Sequence, residues 1–174
     1  MSNDEIVARA GQSALENDRV GGCSQAVLGA LQEHLGLGGA DSFKAATVLS
    51  AGVARRGETC GALIGALMAF GIAEGRDMMA DTAAYARAMS HAQSIIDGFM
   101  GDVQSRCSLR QPLDTTLCRD IQRQLYQRSF DLTREDERQA FLDAGGHDDN
   151  KCPLICAVAA EAAARAILAL RRAD

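Results

Sequence analysis

Four of the six cysteines, Cys23, Cys60, Cys118 and Cys152, fall where helices are expected to begin. A helix N-terminus presents free N–H groups and roughly half a positive charge, which lowers a thiol's pKa and favours the thiolate. The thiolate is the form that serves as nucleophile, redox group or metal ligand. Arg119 and Lys151 adjoin two of these cysteines and Arg55 and Arg56 precede a third, so negative charge is expected to be tolerated there. Taken singly, a cysteine in an alanine-rich chain is more often a small buried hydrophobe. Spacing adds nothing: there is no Cys-x-x-Cys pair, hence no support for a thioredoxin-type motif or a zinc ribbon. No Cys-x-x-Cys-His is present either, which excludes covalent haem attachment of the c type.

The remaining candidates carry less. His34 and His91 sit on expected helices among apolar neighbours and His147 in a polar turn, so each is a weak metal ligand. Asp148-Asp149 reads as a solvated turn. There is no P-loop, no Gly-x-Ser-x-Gly, no His-Glu-x-x-His and no EF-hand loop.

The element that must position the cysteines is the stretch 57–75. Residues 60–73 carry no charge and no polar side chain, so this helix has no face that prefers water and should be the buried centre of the fold. About 14 residues fall short of the roughly 20 that span a bilayer, which argues against a membrane. Gly61 and Gly65, with Ala62, Ala66 and Ala69, leave one side nearly bare and free for close approach or a bulky group.

Around it, apolar spacing and caps predict helices over about 3–16, 23–36 and 43–53, the last capped by Asp41 or Ser42. A longer helix over about 82–103 carries Tyr85, Met89, Ala92, Ile96 and Phe99 roughly on one side. Asp114 or Thr115 caps the helix that carries Cys118. Thr133 and Asp136 resemble a capping box, and Pro153 opens the last helix, to about Arg171. No alternating β-branched run competes. The expected fold is all-α, one domain over residues 1–174 of about seven to eight helices around a buried Gly/Ala-rich central helix.

With 174 residues, 47% hydrophobic and 24% charged, the chain has the composition of a soluble globular domain. A net charge of −5 with only Lys44 and Lys151 as lysines argues against nucleic acid, whose phosphates need clustered cations. The N-terminus is polar and acidic with no secretory signal, so the expected location is the cytoplasm, where cysteines stay reduced or hold metal. The apolar Ala/Gly surfaces are compatible with a homodimer.

The blocks Gly22-Cys23-Ser24-Gln25-Ala26-Val27, Thr59-Cys60-Gly61-Ala62-Leu63-Ile64-Gly65, Cys118-Arg119-Asp120-Ile121 and Lys151-Cys152-Pro153 occur in the order of a known pattern. Over about 21–164 the chain resembles the redox-active proteins named for their C_GCAxxG_C_C pattern. That resemblance implies a helical domain whose signature cysteines, here Cys23, Cys60, Cys118 and Cys152, converge on a redox centre. A haem-bearing relative, the split-Soret cytochrome, has an iron–sulfur cluster in a domain of this kind, although its haem motif is absent here. The resemblance therefore implies an iron–sulfur cluster or other thiolate-bound metal at these four positions, with Gly61 and Gly65 leaving room for it. Cys156, four residues after Cys152 on the same helix face, is the alternative ligand, and Cys107 an extra. Where the pattern has Gly-Cys-Ala, this chain has Thr59-Cys60-Gly61-Ala62, which still frees space beside the sulfur. The implied activity is electron transfer, or a redox accessory role, with a partner protein. The rivals are a metal-free thiol–disulfide protein and a structural zinc module for protein interactions.

Overall fold

The computed structural model describes residues 1–172, and among these the regular structure is helical. The elements are α1 (Asn3–Asp18), α2 (Cys23–Leu35), α3 (Ala40–Ala45), α4 (Gly61–Glu74), α5 (Thr82–Arg106), α6 (Cys118–Tyr126), α7 (Glu135–Asp143) and α8 (Cys152–Leu170). The all-α expectation holds. So does the placement of the cysteines: Cys23, Cys118 and Cys152 are the first residues of α2, α6 and α8, and Cys60 is the N-cap of α4.

α4 is buried along Gly61, Ala62, Leu63, Gly65, Ala66, Ala69 and Phe70, as an element without a polar face must be. It packs against α2, α5 and α8. α8, long and apolar enough by length and composition to cross a membrane, is here a core helix against α1, α2, α4 and α5. Gly65 is where α2 and α4 come closest, since a Cβ there would lie 2.4 Å from the carbonyl oxygen of Ser24.

Several expected boundaries move. The single helix over 43–53 is replaced by α3 and a 3-10 turn at Ala46–Leu49, after which the chain reverses hand. Ala51, Gly52, Val53, Ala54 and Arg55 all have φ between 50° and 69°. L-residues avoid this conformation at about 1–2 kcal/mol each. The turn persists because it is bonded at both ends, with Ala54 N–H donating to Val48 O at 2.8 Å and Glu58 N–H to Gly52 O at 2.9 Å. Propensity read residue by residue favours the right-handed form, and these bonds within the loop hold the other.

Helix caps also differ. α3 starts after Gly39, whose N–H donates to the Ser42 hydroxyl at 3.2 Å, so Ser42 works from inside the first turn. α6 is capped by Leu117, and Thr115 instead accepts from the Leu117 N–H at 3.1 Å. Arg134 caps α7, because the Thr133 hydroxyl is taken by Asp131 at 2.6 Å. On α5 the buried positions are Ile95, Phe99 and Val103, whereas Tyr85 and Met89 are exposed, so only the C-terminal half of that helix is covered.

Candidate functional site: a cysteine-lined cavity

The starts of α2, α4, α6 and α8 meet at one cavity of about 580 Å³, and Cys23, Cys60, Cys118, Cys152 and Cys156 all line it. Cys107 lies apart, at the end of α5. All six cysteines are free thiols.

Long-range backbone pairing brings the starts of α4 and α6 together. The segments before α4 and α6 pair as a minimal antiparallel bridge, Thr59 opposite Leu117, with Cys60 N–H on Thr116 O at 2.8 Å and Cys118 N–H on Glu58 O at 2.7 Å. This pairing sets Cys60 and Cys118 side by side as each enters its helix. Cys23 follows two left-handed glycines, Gly21 and Gly22, and its sulfur lies where a Cβ on Gly61 would be, 2.5 Å away. Gly61 is therefore required as glycine by Cys23, while Gly65 faces the α2 backbone.

Three of the four signature sulfurs, those of Cys23, Cys118 and Cys152, have a hydrogen-bond donor within reach. The Ala51 N–H, at the head of the left-handed turn, donates to Cys23 Sγ at 3.4 Å. Backbone N–H groups of Leu63 and Ala62 act on Cys60. Gln122 Nε2 reaches Cys118 Sγ at 3.7 Å, its amide fixed by Phe130 N–H on its Oε1 at 3.0 Å. The Tyr126 hydroxyl lies 3.3 Å from Cys152 Sγ and 3.1 Å from Gly146 O, two acceptors for its one proton, with its ring held edge-on by Phe130 and Phe141. Cys156 is different: its own thiol points at a carbonyl, Cys23 O, at 4.0 Å.

The electrostatics overturn one expectation. Helix starts do not depress these thiols. Burial pushes Cys23 up to about 12, with Cys60 and Asp18 adding to the rise and the Ala51 and Ser24 N–H groups opposing it. Burial likewise raises Cys60, Cys118, Cys152 and Cys156. Loss of hydration outweighs half a helix charge. Of the nearby cations, Arg119 is neutralised by Glu58 at 2.8 Å, and Lys151 turns its Nζ to Leu125 O at 2.7 Å. These thiols become thiolates only if a cation enters with them.

Two consequences can be measured. The metal-free protein should react with iodoacetamide at neutral pH far more slowly than the same chain unfolded. Its stability should be held below pH 9.0, the ordinary thiol value, and fall as pH rises toward about 12, where folded Cys23 also ionises. Denaturant midpoints measured across that window check the sign, and Cys23→Ala should flatten the fall.

The histidines separate. His34 Nε2 bonds the Ser13 hydroxyl at 2.8 Å, and His91, on α5, is exposed with its ring edge-on to Phe70 at 6.2 Å between centroids. His147 lines the cavity beside the buried carboxylate of Asp18. Asp18 is the residue that sequence reasoning missed, since an Asp closing a helix before Gly-Gly has the pattern of an ordinary surface turn.

The donor set is soft: sulfurs from four elements line one cavity, the kind of ligand that thiolate-bound metals take. Among the described residues no three His, Cys, Asp or Glu side chains are placed to grip a single ion.

Fold and site together define a helical protein with cysteines gathered at the starts of four helices. The chain belongs to the family described as "Putative redox-active protein (C_GCAxxG_C_C)", which matches residues 22–166. No curated protein and no solved structure matches it.

Proposed function

We propose that this chain is a cytoplasmic electron carrier or redox accessory whose Cys23, Cys60, Cys118 and Cys152 hold an iron–sulfur cluster for exchange with a partner protein. The observation that carries the reading is that four helix starts place these sulfurs on one cavity, three of them within reach of a donor. Hydrogen bonds to cluster sulfurs are among the protein's means of setting a reduction potential. When bound, such a cluster supplies one-electron chemistry. The chain's own residues orient the sulfurs through Ala51, Gln122 and Tyr126, and exclude water through the surrounding apolar wall. Cys152 is preferred over Cys156, because Cys156 spends its proton on a carbonyl while Cys152 accepts from Tyr126.

Zinc is the rival occupant of the same four sulfurs, and a tetrahedral site would draw each to about 2.3 Å from one point.

The test is an anaerobic absorption spectrum of freshly purified protein with iron, zinc and acid-labile sulfide analysis. Broad thiolate-to-iron absorption with matching iron and sulfide is the expected result. A colourless protein that also fails reconstitution would move the function to metal-free dithiol chemistry. Stoichiometric zinc without sulfide would make it a structural module.

A further inference from the structure

Two titratable side chains on the cavity wall have no part in holding the sulfurs. Asp18, the last residue of α1, is 2% exposed. Its Oδ2 has no hydrogen-bond partner, and neither has Nδ1 of His147, 3.4 Å away. Buried polar atoms are almost always bonded, and a buried carboxylate left open is costly. The two atoms face only one another, at 3.4 Å, within ion-pair distance once the imidazole carries a proton.

The fold holds them there firmly. Arg19, next to Asp18, grips Asp149 through two bonds of 2.9 and 2.7 Å, which ties the His147 loop to the end of α1. The His147 ring stands edge-on to Phe141, with centroids 5.6 Å apart. An N–H···O bond spans about 2.7–3.2 Å, so the pair is slightly open, and a proton on Nδ1 would close it.

The charges facing the pair define what it can do. Asp18 raises the thiols of Cys23, Cys60, Cys118, Cys152 and Cys156, so its field reaches the whole site. It also raises the Tyr126 hydroxyl, whose largest influence is burial. From α7, Arg138 faces the cavity with its guanidinium bonded to Leu132 O and Thr133 O, while Arg55 is exposed at the left-handed turn. On the His147 loop Asp148 and Asp149 are exposed, the latter neutralised by Arg19. Imidazole is the one group in this set that ordinarily titrates near neutrality.

We propose that Asp18 and His147 form the proton acceptor of the redox site, so that each electron entering the cavity is accompanied by a proton bound at His147 Nδ1 against Asp18 Oδ2. The proposal rests on the cluster reading above. The electron comes from an external one-electron donor, which is oxidised as the site is reduced. The proton comes from water at the cavity mouth, and no sulfur bond is made or broken. Added negative charge in a low-dielectric cavity that already holds a carboxylate is unfavourable, and the proton cancels it. Asp18 also raises His147 above the usual imidazole range, against the effect of its burial.

The experiment is redox potentiometry of the reconstituted protein between about pH 6 and 9, paired with NMR titration of the His147 ring in the metal-free protein. Wild type should show a potential that falls with pH at up to about 59 mV per unit, the value for one proton per electron. His147→Gln should flatten it, and Asp18→Asn should move the sloping region to lower pH. In the metal-free protein the His147 titration should drop on Asp18→Asn. A flat wild-type potential, a slope that survives His147→Gln, or an imidazole indifferent to Asp18→Asn overturns the proposal. Protein that takes up no iron or sulfide overturns the cluster reading and this inference together. Fully loaded protein with a flat potential overturns the inference alone.

Discussion

Cys60→Ser is expected to remove most of the bound metal, with iron and sulfide per chain falling at least about tenfold after anaerobic reconstitution. Cys60 is the N-cap of α4 and is tied through its backbone to Thr116, so the chain path survives the change and the sulfur is what is lost. The α-helical circular dichroism should therefore stay near wild type. Serine keeps the volume but offers a hard oxygen that does not ionise at neutral pH. The controls are Cys107→Ser, away from the cavity, and Cys156→Ser, whose thiol faces the Cys23 carbonyl. Both should load normally. Full loading of Cys60→Ser would remove Cys60 from the ligand set. Loss of metal in Cys156→Ser but not in Cys152→Ser would exchange those two roles.

The second large effect is on stability. Gly65→Ala is expected to cost about 2 kcal/mol and to lower Tm by about 4–8 °C. Its Cβ would sit 2.4 Å from Ser24 O and 3.2 Å from Val27 Cβ. Neither is the free end of a flexible chain, so α2 must move off α4. Because Ser24 follows Cys23, the same displacement should also weaken metal loading. Gly71→Ala is the internal comparison, since nothing lies within 4 Å of a Cβ there. On the same helix it should gain about 0.5–1 kcal/mol from the better helix former. Thermal unfolding of the two variants checks both signs, and equal behaviour would mean that α2 and α4 are not packed on the bare face.

The donors around the sulfurs illustrate what cannot be read along a chain. Gln122 reaches Cys118 from the next turn of α6, a spacing visible in sequence but common to any helix. Tyr126 and Cys152 are 26 residues apart, and Ala51 and Cys23 are 28 apart. No periodicity links them. The left-handed turn at 51–55 contradicts local propensity outright and exists because its bonds to Val48, Leu49 and Glu58 hold it. The Thr59–Leu117 bridge is too short to leave an alternating pattern.

What the sequence determined by itself is the all-α class, most of the helices and the place of four cysteines at helix starts, since glycine breaks and the 3.6-residue repeat are local properties of the backbone; the 43–53 segment and the caps of α3, α6 and α7 were settled by contacts. It also carried the family, through four blocks in order. What only the tertiary structure decided is the chemical state of the site. Helix starts by themselves would lower a thiol's pKa, yet burial in the shared cavity raises all five that line it. It likewise decided that Asp18 and His147 face each other there. Desolvation and encounter depend on what the rest of the chain packs around a group, and that exists only once the helices have met.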